Sequence, residues 1–126
     1  MTKPRSAVCT VPSLPHSKLG PNARLHYKQK NRLYQSAKES MVIELRNQGC
    51  CQDPLWERAH LDIQFVAGDK RRRDIDNLIG SSKAWLDALV GEVIVDDSAD
   101  RLSLSVEYTR SDEESTTFTI TPIYTE

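Results

Sequence analysis

Two segments of the chain alternate apolar and polar residues with a period of two, which is the pattern of a half-buried strand. In the first, Leu61, Ile63 and Phe65 alternate with polar neighbours in a segment beginning at residue 56 or 58 and ending at Val66. The second covers residues 102–108. Residues 7–11 and 118–124 are short and rich in strand-forming residues, so they predict two further strands.

Between the predicted strand at residues 7–11 and the strand that ends at Val66, the apolar residues recur with a period of about 3.6 residues. Leu33, Ala37, Met41 and Leu45 recur at every fourth position, which predicts a helix over residues 28–48. Gly49 suits the position that follows a helix, where a left-handed conformation commonly ends it.

A second helix is predicted over residues 76–89, ended by Gly91. Its apolar side includes Trp85, which we expect in the core. The opposite side carries Asp76, Lys83 and Asp87, and helical spacing places these three on one face.

The predicted order is therefore β-α-β-α-β-β, which indicates an α+β fold with a mixed sheet and helices packed against it. A turn rich in acidic residues separates the last two strands, so we expect them to pair as a hairpin. The length of 126 residues suits a single domain over residues 1–126. Residues 1–6 are expected to be flexible.

The composition is typical of a soluble globular protein, with 38% apolar and 28% charged residues. No apolar run approaches the roughly 20 residues needed to cross a bilayer, so no membrane partner is expected. The three cysteines are an odd number without metal-ligand spacing, which favours reduced thiols. These features predict a cytoplasmic protein.

The net charge of −1 conceals an uneven distribution of charge. Residues 1–91 contain 15 Lys and Arg against 9 Asp and Glu, whereas residues 92–126 contain 2 against 9. Residues 18–32 carry five cations and no acid, and a second basic run occupies residues 70–73. Such asymmetry suggests a polyanionic partner, and we expect DNA on the face formed by residues 18–32 and 70–83. The candidate DNA contacts are Arg24, His26, Lys28, Lys70, Arg71, Arg72 and Arg73.

Three of these arginines directly precede an Asp-x-Asp pair, Asp74 and Asp76, and Asp96 and Asp97 follow some twenty residues later. Mg²⁺ prefers oxygen ligands, and metal-assisted cleavage of nucleic acid needs carboxylates for the metal and cations for the phosphates. The pattern therefore predicts a metal site formed by Asp74, Asp76 and Asp97, with Asp96 as a possible ligand.

Structural interpretations of the same residues stay open. Asp76 suits an N-cap that accepts a hydrogen bond from a backbone N–H two or three residues later, and Asp74 suits an ion pair with Arg72 or Arg73. Asp96 and Asp97 are also ordinary turn residues. A lysine such as Lys83 on an exposed helix face is usually only solvated.

Several motifs together resemble the RusA-type Holliday-junction resolvases, which are endodeoxyribonucleases. The similar segments are an Asp-x-Asp-Asn motif at residues 74–77, a lysine and Asp-Ala-Leu on the following helix, and an Asp-Asp pair at residues 96–97. The Pro-Asn-x-Arg-x-His-aromatic segment at residues 21–27 is also similar. The lysine departs from the family pattern, since it follows the second aspartate by seven residues instead of four.

The resemblance implies a catalytic role for Asp74, Asp76, Asp97 and Lys83, with Mg²⁺ as cofactor and Mn²⁺ as a possible substitute. It also implies a homodimer that nicks both strands of a four-way DNA junction. Two other functions stay open: a catalytically inactive DNA-binding module, and a general metal-dependent nuclease.

Overall fold

The computed structural model of the chain describes residues 5–21 and 23–124. Its strands are β1 (Ala7–Val11), β2 (Ala59–Ala67), β3 (Leu102–Arg110) and β4 (Ser115–Pro122). Its helices are α1 (Tyr27–Asn47), α2 (Ile75–Ser81) and α3 (Lys83–Leu89), with one 3-10 turn at Ser17–Leu19. The predicted α+β fold is confirmed. The expected flexibility of residues 1–6 falls largely on residues 1–4, which lie outside the described part.

The four strands form one mixed sheet in the order β1-β4-β2-β3. β2 pairs in parallel with β3 and antiparallel with β4, and β4 pairs antiparallel with β1. The predicted hairpin of the last two strands is therefore wrong, because β2 lies between them. β2 is one of the two inner strands of the sheet. All five residues on its inward face, at every second position from Ala59 to Ala67, are buried, which suits an inner position.

The connection from β3 to β4 spans the end of β2. Its four residues, 111–114, reach about 13 Å when extended, enough to cross two strand spacings of about 4.8 Å each. The backbone N–H of Ser111 donates to the carbonyl of Ala67 at 3.0 Å, which fixes the crossing. A short acidic turn in the sequence is thus compatible with strands that are not neighbours.

The core lies between the helices and one face of the sheet. Met41 and Leu45 of α1 are buried there, and Trp85 of α3 packs edge-on against Phe118, with ring centroids 6.1 Å apart. The prediction that Trp85 belongs to the core is confirmed.

α1 begins and ends as its sequence indicates. The Nδ1 atom of His26 accepts from the backbone N–H of Lys28 at 3.2 Å and so caps the first turn. At the other end Gly49 has a φ of 72°, and the N–H of Cys50 donates to the carbonyl of Leu45 at 2.8 Å. This is the hydrogen-bond pattern of a Schellman motif, so the prediction for Gly49 is confirmed.

The predicted helix over residues 76–89 is divided into α2 and α3 at Ser82. The Ser82 hydroxyl donates to the carbonyl of Leu78 at 2.8 Å. The backbone N–H of Ser82 donates to the carbonyl of Ile79 at 3.0 Å, in place of the carbonyl of Leu78 that a continuous helix would use. Serine bonding of this kind to the preceding turn often bends helices. α3 therefore begins at Lys83 as a separate helix.

No helix within the described ranges is long and apolar enough to cross a membrane. The three cysteines are free: Cys9 and Cys50 are buried, and Cys51 is exposed in the loop after α1.

Candidate nucleic-acid interface

The basic segment that leads from β2 into α2 is held in shape by an acidic residue within it. The Asp69 carboxylate accepts from the guanidinium of Arg73 at 2.7 and 3.0 Å and from the backbone N–H of Arg71 at 3.0 Å. The bond from Arg73 is the main reason that the pKa of Asp69 falls to about 2. Arg73 therefore braces the segment, although the sequence had assigned it to DNA.

Arg110, the last residue of β3, also stabilises this basic segment. Its guanidinium donates to the carbonyls of Lys70 and Arg71 at 3.5 and 3.3 Å. Sequence analysis singled out neither Arg110 nor Asp69. Asp69 and Arg73 lie in an irregular segment, so the i,i+4 rule for helices does not predict their ion pair, and the contact of Arg110 depends on strand pairing that no local signal reveals.

Arg71 and Arg72 project outward from the braced segment. The Arg72 side chain is 93% exposed, and its guanidinium lies 3.7 Å from an Asp74 carboxylate oxygen. An exposed ion pair at this distance contributes about 0–1 kcal/mol, so a phosphate can replace the carboxylate as partner of Arg72 at little cost.

The three arginines line a cleft of about 500 Å³ together with Asp74 and the loop that precedes α1. The other lining residues are Leu14, Pro15, Ser17, Gly20, Ala23, Asn77, Leu78, Ser81 and Glu114. The fold thus brings the predicted basic segment 70–73 against part of the N-terminal loop. Arg24, His26, Lys28 and Lys70 are exposed.

The Asp-x-Asp pair lies at the start of α2. Asp74 is the N-cap residue by backbone position, but its side chain makes no capping hydrogen bond. Asp76 lies in the first turn, where its Oδ1 accepts from the N–H of Asn77 at 3.0 Å. The N-cap interpretation of Asp76 is therefore wrong, whereas the pairing of Asp74 with Arg72 is found.

Lys83 belongs to a different group of side chains, which joins α3 to α1. Its ammonium lies 2.8 Å from Asp87 Oδ1, and the Tyr34 hydroxyl donates to the other oxygen of the same carboxylate. The bond to Asp87 is the main cause that raises the pKa of Lys83. Burial, followed by the bond to Asp87, raises the pKa of Tyr34 to about 12.

Asp97 lies near this second group. Its negative charge contributes to the raised pKa of both Lys83 and Tyr34. It follows the apolar residues Val93 and Ile94, which are buried and bridge to Trp56. The segment of Asp96 and Asp97 directly follows this anchorage, and the charge of Asp97 reaches Lys83 of α3.

Within residues 5–21 and 23–124, no three His, Cys, Asp or Glu side chains form a group that is arranged to hold a metal ion. Asp74, Asp76 and Asp97, with or without Asp96, therefore do not form the expected set of three ligands. Asp74 lines the arginine cleft, whereas the charge of Asp97 acts on Lys83.

The fold and this surface define a single-domain α+β protein in which a cleft lined by arginines opens beside exposed carboxylates. No protein-family model matches the sequence, and no curated protein matches it either. The interpretation of the site therefore depends on the chemistry of its own side chains.

Proposed function

We propose that this chain is a Mg²⁺-dependent endodeoxyribonuclease that acts on branched DNA, including four-way junctions. The observation that carries the proposal is the cleft in which Arg71, Arg72 and Asp74 face the N-terminal loop. Cations that are free to bind phosphate lie there beside exposed carboxylates, and a phosphodiester-cleaving site needs both.

The carboxylates fit Mg²⁺ in one respect. Mg²⁺ commonly keeps several waters and takes one or two protein carboxylates together with substrate phosphates. Asp74 and Asp76 carry exposed carboxylates two residues apart at the start of α2, which suits that mode, and Mn²⁺ favours the same oxygen ligands. When bound, such an ion neutralises charge on the phosphoryl oxygens.

The chain's own residues would supply the remaining functions. Arg71 and Arg72 bind the phosphate backbone, and their segment is already ordered by Asp69, so little conformational freedom is lost on binding. The bond to Asp87 raises the pKa of Lys83 above its ordinary value, so the contact favours the charged ammonium. A protonated lysine is suited to stabilising negative charge on a leaving oxygen.

The assembly and the cellular location belong to the same proposal. A homodimer would present two such sites to a four-way junction, whose two-fold symmetry matches that of a dimer. Three free thiols suit the reducing cytoplasm, where we place the protein.

The test compares cleavage of a synthetic four-way junction and a linear duplex, with and without Mg²⁺. We expect the wild type to nick the junction only with Mg²⁺. Asp76→Asn should abolish nicking while junction binding persists, because the carboxylate is lost and the arginines remain. Asp112→Asn, which changes an exposed acid in the β3–β4 connection, is the matched control.

Each alternative has its own outcome in this assay. Junction binding without nicking by the wild type would indicate a catalytically inactive DNA-binding module. Equal nicking of linear duplex would indicate a general metal-dependent nuclease. Nicking by Asp76→Asn at the wild-type rate would show that the carboxylate is not part of the site.

A further inference from the structure

A second concave surface lies beside the Lys83 group, between the first half of α1 and the junction of α2 and α3. This groove has a volume of about 360 Å³. Its lining includes Tyr27, Lys30, Asn31, Tyr34, Gly80 and Lys83. The volume lies near the lower end of the range of about 300–1,000 Å³ for ligand sites, which suits one nucleotide.

Tyr27 is held in place although it is exposed. The residue is 71% accessible, and one face of its ring stacks on His26, with centroids 4.7 Å apart and planes at 28°. His26 is itself held by its hydrogen bond to the N–H of Lys28. An aromatic ring that is fixed on one side and accessible to solvent is a preorganised stacking surface.

The polar groups of the groove indicate what kind of ring stacks there. Lys30 donates to the carbonyl of Gly20 at 3.3 Å, which holds its ammonium at the groove. Lys83 supplies a second cation, and the Asn31 amide offers both a donor and an acceptor. A planar ligand with a hydrogen-bonding edge and an attached phosphate matches the two lysines and the Asn31 amide.

We infer that this groove binds one unpaired nucleobase of branched DNA, stacked on Tyr27. The inference rests on the proposed function for the nature of the ligand, and it adds how the substrate is selected. A base inside a duplex is stacked on both faces, whereas a base displaced from the stack exposes its π-face and its pairing edge. The groove therefore favours DNA with an unpaired nucleotide over fully paired DNA.

The test uses a duplex with one bulged 2-aminopurine and the same duplex with an abasic residue at that position. The wild type should bind the base-containing bulge about 5- to 150-fold more tightly, the range for one stacked base, and should alter the 2-aminopurine fluorescence. Tyr27→Ala should remove this preference, and Tyr27→Phe should retain it because the ring remains. Tyr124→Ala is the matched control, since Tyr124 is 72% exposed and lies in another cleft.

Equal affinity of the wild type for the two bulges would overturn the inference, as would a preference that survives in Tyr27→Ala. The nicking assay answers a separate question. A preference for the unpaired base without nicking would support the groove and refute the endonuclease. Nicking without the preference would refute the groove and leave the endonuclease standing.

Discussion

The contact between Tyr34 and Asp87 provides a quantitative test of how Lys83 is positioned. Asp87 accepts hydrogen bonds from both Lys83 and Tyr34. Burial works to raise the pKa of Asp87, but the bonds from Lys83 and Tyr34 outweigh it, and the pKa is lowered overall. Tyr34→Phe removes only the hydroxyl, so it isolates one of the two donors while the ring stays packed.

The size of the effect follows from the pKa of Tyr34. A rise from 10.0 to about 12 corresponds to about 2.7 kcal/mol, but burial, its largest cause, only penalises the ionised phenol, so the bond to Asp87 accounts for less than this. Water reaches this site, so screening reduces the contribution to about 1 kcal/mol. We expect Tyr34→Phe to lower the free energy of unfolding by about 1 kcal/mol at neutral pH, the usual net value of one hydrogen bond.

The pH dependence has a definite sign. The folded state holds the phenol protonated more strongly than the unfolded state does, so the contribution of Tyr34 is complete below a pH of about 10. It is lost as the pH rises towards about 12. The stability advantage of the wild type over Tyr34→Phe should therefore shrink across that interval.

Urea denaturation at neutral and alkaline pH measures both effects, and tyrosinate absorbance follows the titration directly. The wild type should show one tyrosine that titrates at higher pH than the others, and Tyr34→Phe should lack this transition. Tyr124→Phe serves as the control because Tyr124 is 72% exposed. If Tyr34→Phe is as stable as the wild type, and the tyrosine transition that it loses lies at the same pH as the one lost in Tyr124→Phe, the bond to Asp87 does not form in solution.

Two further substitutions test the geometry of the cleft and the groove. A Cβ atom on Gly80 would lie 2.7 Å from Cδ of Pro21, closer than real Cβ atoms approach. Gly80→Ala should gain about 1 kcal/mol of helix propensity but displace the rigid proline ring, so urea denaturation should show no net stabilisation. Arg72→Ala should reduce the slope of log affinity against log salt by about 0.9, the value for one lost phosphate contact. Arg58→Ala, before the opposite end of β2, should leave the slope of DNA binding unchanged, and an unchanged slope in Arg72→Ala would exclude that contact.

Local patterns were sufficient to predict most elements of the fold. The i+4 recurrence ending at Leu45 and the glycine that follows gave α1 to within one residue at each end. The alternation of Leu61, Ile63 and Phe65 gave β2 with the correct buried face. These predictions succeeded because the burial of one face and the end of a helix are decided by residues close together in sequence.

The strand order needed information that is not local. The predicted hairpin assumed that strands joined by a short turn are neighbours, which is the commoner arrangement. Here β2 pairs on both sides, and its inward residues are fully covered. Leu104 in the edge strand β3 is 43% exposed, so a side chain at the edge of the sheet is covered much less than the inward residues of β2.

The candidate site was predicted in part. The sequence correctly placed basic residues beside Asp74, but it did not reveal that Asp69 and Arg110 hold the segment. The position of Arg73 in a run of cations suggested a phosphate contact, but its guanidinium forms an ion pair with the carboxylate of Asp69. The partner of an arginine depends on the course of the backbone, which composition does not specify.

The break at Ser82 divides the predicted helical face of Asp76, Lys83 and Asp87 between two helices. On a continuous helix, residues seven apart lie on one face, which would place Lys83 above Asp76. The Ser82 hydroxyl bonds the carbonyl of Leu78, and the helix restarts at Lys83. Lys83 then meets Asp87, with Asp97 close enough to affect its pKa. Asp76 therefore belongs to α2, whereas Asp97 acts on Lys83 of α3, so under the proposed function a phosphodiester would have to contact both helices before Asp76 and Asp97 could act on it together.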